Sequence, residues 1–361
     1  MSAMPSHKFI DRRSGRVVTE ALMADRLVKL LYGPVRESAP LLFKALVSAR
    51  GSQLLSFIQF DRASRRNPTA ARQLAADLNI DLDECLDPDE CLRSARHLFE
   101  RRIQYWQFRP TPAAADRVVS PADARILVGS LDDTDRFFLK EKFFTFDELL
   151  GADKAQWRAA FSHGRFALLR LTPEKYHYNH TPVAGRVVDV YALDGAYHSC
   201  NPAAVLSVAA PFSKNKRVVT VFDTDQPGGT GVGLVAMVEI VALMIGDIVQ
   251  CYSAFEYDAP MEVVPGLTVL RGRPKSLFRP GSSVVALFFQ KDRIHFDPDL
   301  IANQRRRDVA SRFSFNFGAP VVETDIQVRA SLARSGPGPE PAWLHRAPGA
   351  ADEARPQACP I

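Results

Sequence analysis

The stretch Leu277-Phe278-Arg279-Pro280-Gly281-Ser282-Ser283-Val284-Val285-Ala286-Leu287-Phe288-Phe289 decides how the rest of the chain is read. Pro280-Gly281 is a turn signal, and Val284 to Phe289 is a β-branched and aromatic run of the kind that fills a buried strand. The two serines therefore stand where a tight turn enters a strand. Such a turn can hold a serine hydroxyl against the carbonyl of the residue before it, and glycine lets other groups approach that carbonyl closely. The arrangement suits attack by Ser282 on Gly281. Taken alone, Gly-Ser-Ser before a strand is also ordinary hairpin chemistry, so the other motifs have to decide.

Upstream of this stretch the chain reads as a series of short strands from Arg117 onward. Val118 to Val128, Ala167 to Leu171, Arg186 to Tyr191, Arg217 to Asp223, Leu234 to Met244 and Ile248 to Tyr252 all carry strand patterning. Gly228-Gly229-Thr230-Gly231-Val232-Gly233 lies between two of them rather than opening a helix, so it predicts a glycine-rich hairpin and not a nucleotide loop. Before Arg117 the pattern is helical. Leu22, Leu27, Leu30, Leu31, Leu41, Leu42, Leu46, Leu54, Leu55 and Ile58 recur at helical spacing. Lys29, Arg36, Lys44, Arg50 and Arg62 can face anionic lipid while the leucines dip into the headgroup region; the plainer reading packs those leucines on the protein's own core. Asp81-x-Asp83-x-Cys85-x-Asp87 lacks the glycine and the terminal glutamate of a calcium loop, and reads as a solvated acidic face. Pro110 and Pro112 mark the connection into the β-rich region. After Thr324 the signals weaken, and the prolines from Pro337 to Pro360 predict a disordered tail.

At 361 residues the chain can bury a full core. A net charge of +5 is compatible with anionic membrane, nucleic acid or acidic substrate and chooses none of them. Five cysteines without Cys-x-x-Cys spacing indicate neither a disulfide framework nor a zinc site, and fit a reducing compartment. The N-terminus lacks an apolar signal-peptide core, and no apolar run is long enough to span a bilayer, so the expectation is neither export nor a spanning helix.

Several separate segments then agree with the opening stretch. Phe278, Gly281, Ser282, Ser283 and Val284 fit the Phe-x-x-Gly-Ser-(Ser/Thr)-Val setting in which proenzymes of the phosphatidylserine decarboxylase family cut themselves. Tyr176-His177-Tyr178-Asn179-His180 is similar to that family's Asp-Tyr-His-x-x-His segment, and Val119-Ser120-Pro121-Ala122-Asp123 to its Ser-Pro-Ala-Asp-Gly. Tyr197 to Pro202, Lys214 to Arg217 and Ile245 to Ile248 match in the same order, so from about Lys8 to about Asn303 the chain resembles this family.

The resemblance implies a pyruvoyl-dependent decarboxylase converting phosphatidylserine to phosphatidylethanolamine and CO2. Ser282 would attack Gly281, and self-cleavage would leave a large chain (1–281) and a small chain (282–361) as a heterodimer, with Ser282 converted to the covalent pyruvoyl cofactor. A hydroxyl needs a base, and the base an orienting partner; by resemblance these are His180 and Asp123, with His177 assigned to the decarboxylation step. Tyr178 and Asn201 are candidates for the substrate pocket, and Lys216 and Arg217 for a phosphodiester contact. No metal is expected, because no third ligand cluster accompanies the two histidines. Lys175, Tyr178 and Asn179 depart from the family pattern beside the proposed pocket, which leaves open a free amino acid such as tryptophan as substrate. A non-cleaving lipid-binding protein is the other alternative.

The expected architecture is α+β: a helical, membrane-associating N-terminal region (1–110), a β-rich catalytic domain (111–326) cut at 281/282, and a Pro/Gly-rich tail (327–361). The expected partner is a phospholipid surface on the cytoplasmic side of the cell membrane, held peripherally, without nucleic acid; homo-oligomerisation is left open.

Overall fold

The computed structural model describes residues 6–22, 28, 31–48, 51, 68–132, 142–243, 247–281 and 283–336. In chain order the strands are β1 (Lys8–Asp11), β2 (Val17–Thr19), β3 (Arg117–Val119), β4 (Ala124–Ser130), β5 (Arg165–Leu171), β6 (Tyr178–His180), β7 (Gly185–Leu193), β8 (Arg217–Asp223), β9 (Leu234–Val241), β10 (Ile248–Gln250), β11 (Thr268–Val269), β12 (Pro274–Phe278), β13 (Ser283–Phe289), β14 (Ile294–Phe296), β15 (Thr324–Ile326) and β16 (Ser331–Ser335). The helices used below are α1 (Pro40–Leu46), α2 (Pro88–Cys91), α3 (Ala95–Phe99), α4 (Phe146–Leu150), α5 (Ala155–Phe161), α6 (Pro202–Ser207) and α7 (Arg312–Phe317).

β13 lies in the middle of a ten-stranded sheet of order β11-β7-β8-β9-β13-β5-β4-β15-β1-β2. All seven of its residues pair antiparallel on both sides, from Ser283 opposite Leu171 and Val241 to Phe289 opposite Arg165 and Val235. Its unbroken apolar run follows from burial on both faces, because side chains alternate along a strand. Val285, Leu287 and Phe289 enter a core shared with Ile248, Phe278, Phe296 and Leu332 from two smaller sheets. Val284, Ala286 and Phe288 enter a second core with Leu149 and Leu150 of α4, Phe161 of α5, Val205 of α6 and Phe313 of α7. The molecule is therefore layered: helices, the large sheet, then the small sheets β10-β12-β6 and β14-β16-β3. Burying each large side chain of β13 contributes about 1.5–3 kcal/mol, so this strand is among the last parts of the sheet to open.

Most of the predicted strands are present: β5, β7, β8, β9, β10 and β13 fall within the expected segments or extend them slightly. Val118 to Val128 is broken into β3 and β4 by the turn Ser120–Asp123, which feeds the two strands into different sheets. The glycine-rich segment 228–233 joins β8 to β9, which pair antiparallel from Asp223 opposite Leu234, as a hairpin requires.

Two boundaries need correction. Residues 1–110 are not wholly helical, since β1 and β2 form a hairpin, Lys8 opposite Thr19, and β1 pairs parallel with β15, Ile10 opposite Thr324. The N-terminus thus closes one edge of the catalytic sheet. Leu22 and Leu31 are described, but Leu27, Leu30, Leu54, Leu55 and Ile58, with Lys29, Arg50 and Arg62, lie outside the described residues. The expected tail from 327 begins inside the fold, because β16 pairs with both β3 and β14; residues 337–361 lie outside the described residues. Strands of three to five residues carry too few alternations to stand out in a sequence.

Candidate active site

The site is built where β6 and β12 pair, with Tyr178 opposite Leu277, Asn179 opposite Ser276 and His180 opposite Pro274. β12 runs directly into the 279–282 junction. The Phe278 N–H donates to the His177 carbonyl (3.1 Å), and the Arg279 N–H to the Asp247 carbonyl (3.1 Å), so the junction is fastened on its N-terminal side. Gly281 has φ +143°, a conformation in which a β-carbon would be strained. Ser282 lies outside the described residues. Ser283 opens β13, and its hydroxyl is buried without a hydrogen-bond partner.

His177 immediately precedes β6 and is fully buried. Neither ring nitrogen has a hydrogen-bond partner, and the Phe99 ring lies 3.6 Å away between centroids. Burial, with the nearby Arg101 charge, holds its pKa well below the usual histidine range, so the ring is neutral at pH 7. An imidazole buried without a hydrogen-bond partner is costly.

His180 is buried at the other end of β6. Its Nδ1 is 3.0 Å from the Gly272 carbonyl oxygen, which can only accept, so Nδ1 carries the proton. Nε2 then accepts from the Tyr176 hydroxyl at 3.0 Å. That hydroxyl lies 2.8 Å from the Tyr257 hydroxyl, which is itself 2.9 Å from the Ile103 carbonyl. Burial pushes the His180 pKa down to about 3.

The structure brings Asp123 near these rings without joining it to them. Its carboxylate accepts from Arg109 Nη2 at 2.8 Å and from the Val328 N–H at 2.7 Å, and Arg109 continues to Glu84 at 2.7 Å. The Arg109 charge keeps Asp123 ionised despite its burial, against desolvation that pushes the other way. No hydrogen bond runs from Asp123 to His180; the Asp123 charge reaches both imidazoles only through space. The two segments meet through backbone instead, the His180 N–H donating to the Pro121 carbonyl at 2.7 Å.

Other sequence candidates are placed elsewhere. Asn201 caps α6, its Oδ1 accepting from the Ala203 N–H at 2.8 Å, with Pro202 as the first helical residue. Asn201, a pocket candidate in the sequence, therefore starts a helix. Arg217 donates to the carbonyls of Leu149 (2.9 Å), Asn215 (2.8 Å) and Glu148, so it pins α4 to the sheet rather than facing a phosphate. Lys216 pairs at 3.4 Å with Asp247. Lys175 pairs at 2.7 Å with Asp325.

A cleft of about 500 Å³ opens beside the β6–β12 pair, its lining including Tyr178, Leu277, Tyr257, Glu90, Arg101 and Arg102. Below it lies a network that sequence reading missed. Glu239 on β9 and Lys275 on β12 are both 0% exposed and pair at 2.7 Å. Gln250 Nε2 (2.9 Å), Asn179 Nδ2 (3.2 Å) and the Ser276 hydroxyl also donate to the Glu239 carboxylate. A lone glutamate inside the apolar run Leu234 to Met244 was the available signal. Among the described residues, a metal-type cluster exists only at His7, Glu20 and Glu323, where Arg170 already pairs with both carboxylates.

A neutral buried histidine, a second histidine linked to a tyrosine relay, and a cleft lined by Tyr178 and Leu277 of the paired strands β6 and β12 define an enzyme of α+β architecture. Residues 96–313 match the phosphatidylserine decarboxylase family, and the chain belongs to that family. It is 27% identical over 305 residues to the phosphatidylserine decarboxylase proenzyme of Fusobacterium nucleatum, covering 83% of this chain and 93% of the relative. The proenzyme of Ruminiclostridium cellulolyticum is 28% identical, covering 81% and 90%, and that of Chlamydia pneumoniae 28%, covering 84% and 93%.

Proposed function

We propose that the chain is a proenzyme that cuts itself between Gly281 and Ser282, and that the two-chain product decarboxylates phosphatidylserine to phosphatidylethanolamine. The observation that carries this reading is the junction: Gly281 at φ +143° lies between a strand end fastened to His177 and Asp247 and a strand held on both sides in the central sheet.

In this reading the Ser282 hydroxyl attacks the Gly281 carbonyl, the peptide C–N bond gives way to an ester, and elimination of the Gly281 carboxylate separates the chains. The dehydroalanine left at position 282 tautomerises to an imine, which water hydrolyses to the pyruvoyl ketone with release of ammonia. His180 accepts the serine proton. Its Nδ1–H is oriented by the Gly272 carbonyl rather than by Asp123, which acts by charge at longer range. The Tyr176 hydroxyl now occupies Nε2, so the proton arrives through that hydroxyl or after it turns away.

The pyruvoyl group derived from Ser282 supplies an electron-accepting carbonyl for the departure of CO2. The surroundings fit it: the buried Ser283 hydroxyl and both nitrogens of His177 lack partners, and these residues would hold it. His177, neutral at working pH, keeps one N–H to hand over as the product carbon is protonated.

Of the three departures beside the pocket, Lys175 is spent on Asp325 and Asn179 on Glu239 and Ser276, so Tyr178 alone faces the cleft. That favours the lipid over a redesigned amino acid site. On the surface, Leu41 and Leu42 of α1 are 81% and 54% exposed beside Lys44, which supports a peripheral contact with anionic membrane. No described helix is long and apolar enough to cross a membrane.

Intact mass under denaturing conditions tests the cleavage. Two chains divided after residue 281, the smaller without a free amine, are expected, and Ser282→Ala should yield one uncut chain. Activity on free serine or tryptophan with none on phosphatidylserine vesicles would sink the lipid assignment.

A further inference from the structure

The cleft holds a cation that the proposed chemistry leaves unused. Arg101 follows α3 and is 6% exposed. Its Nη1 donates to the Leu98 carbonyl (3.1 Å) and its Nη2 to the Glu174 carbonyl (2.8 Å), while Nε is buried without a partner. No carboxylate pairs with it among the described residues. Its neighbours in the cleft wall are satisfied: Arg102 pairs with Glu90 at 3.1 Å, and Glu100 with Arg96 at 3.1 Å. Arg109, Arg125 and Arg170, of similar burial, each face two carboxylates. Arg217 shares Arg101's carbonyl-only bonding, but among the described residues it does not line the cleft and Arg101 does. A buried guanidinium without an anion is costly, and planar guanidinium is suited to phosphate and carboxylate oxygens.

We propose that Arg101 is the anion anchor of the cleft and holds the phosphodiester of the phosphatidylserine head group; this rests on the decarboxylase reading. The head group carries two anions, and the chemistry separates them. The carboxylate must leave as neutral CO2, and a cation fixed on it would stabilise the ground state more than the transition state. The phosphodiester keeps its charge throughout, so binding it costs nothing in the chemical step. It is separated from the reacting carbon only by a methylene and an oxygen. Arg101 follows α3, whose Phe99 ring packs against His177, so a head group held at Arg101 lies on the side of the cleft where that histidine is buried.

The test compares wild type with Arg101→Gln on short-chain phosphatidylserine, after intact mass has shown that both have matured. Losing a charge-assisted contact predicts a KM increase of about 10- to 100-fold with kcat within about twofold. Short-chain phosphatidylglycerol, which has the phosphodiester but neither amine nor carboxylate, should inhibit the wild type and lose that inhibition in the variant. A fall in kcat at unchanged KM, or undiminished inhibition by phosphatidylglycerol, would overturn the proposal. Equilibrium binding of the same phosphatidylglycerol to uncleaved Ser282→Ala, with and without Arg101→Gln, needs neither maturation nor turnover. Binding lost with Arg101 supports the anchor, and binding unchanged refutes it. A wild type inactive on phosphatidylserine would count against the enzyme reading, and this binding comparison would then decide on Arg101 independently.

Discussion

Glu239→Gln removes one charge from the most enclosed ion pair among the described residues and leaves its shape almost unchanged. Lys275 Nζ is 2.7 Å from Glu239 Oε2, with both side chains 0% exposed. At that separation and an effective dielectric of about 20, the attraction is about 6 kcal/mol. The substituted amide still accepts one hydrogen bond, which returns part of this. Its NH2 group, however, meets donors already in place from Asn179, Gln250 and Ser276. The net loss should therefore be about 3–5 kcal/mol, as for other buried pairs deprived of one partner. Urea unfolding on the Ser282→Ala background keeps the chain in one piece, so the midpoint shift at constant m reads this value. Pairing Glu239→Met with Lys275→Met removes both charges, and should recover most of the loss. In the cleavable chain, Glu239→Gln should also slow self-cleavage, because the network fastens β6, β10 and β12 to β9, the strand beside β13. A loss below about 1 kcal/mol in the single variant, with a larger loss in the double, would refute the reasoning: the pair would then hold the sheets by packing and not by charge.

Three further outcomes are expected. Stability should fall as pH drops below about 6.5: burial lowers the folded-state pKa of His180 to about 3 and of His198 to about 4, so the unfolded chain binds more protons across that window. Each such group contributes a slope of up to about 1.4 kcal/mol per pH unit, and denaturant titrations between pH 7 and 4 should show it weakened in His180→Gln. Gly281→Ala should slow self-cleavage at least about fivefold, since a β-carbon at φ +143° costs roughly 1–3 kcal/mol; unchanged kinetics by denaturing gel would show that the junction relaxes before it reacts. After cleavage the two chains should elute as one species in native size exclusion and separate only in denaturant. β13 of the small chain is paired along its whole length with β5 and β9 of the large one, and Glu323 of the small chain is locked to Arg170 of the large.

The organisation of the chain was legible wherever the information is local. The run Val284 to Phe289, the alternation in Arg217 to Asp223 and the glycines at 228–233 each state a backbone conformation and a burial within a few residues, and β13, β8 and the β8–β9 hairpin follow from them. The motifs around Gly281, His177, His180 and Asp123 placed the chain in its family for the same reason. What only the tertiary structure decided is which charges meet. Arg109 and not His180 takes the Asp123 carboxylate, Arg170 gathers Glu20 and Glu323 from 150 and 153 residues away, and Lys275 finds Glu239 36 residues off. Among the described residues Arg101 and Arg217 both donate to backbone carbonyls, but Arg101 lines the cleft while Arg217, the sequence candidate for a phosphate contact, pins a helix to the sheet. A side chain's charge is visible in a sequence, but its partner is set by pairing across the sheets and by the cost of burying it alone. Those terms are settled only when the whole core has closed.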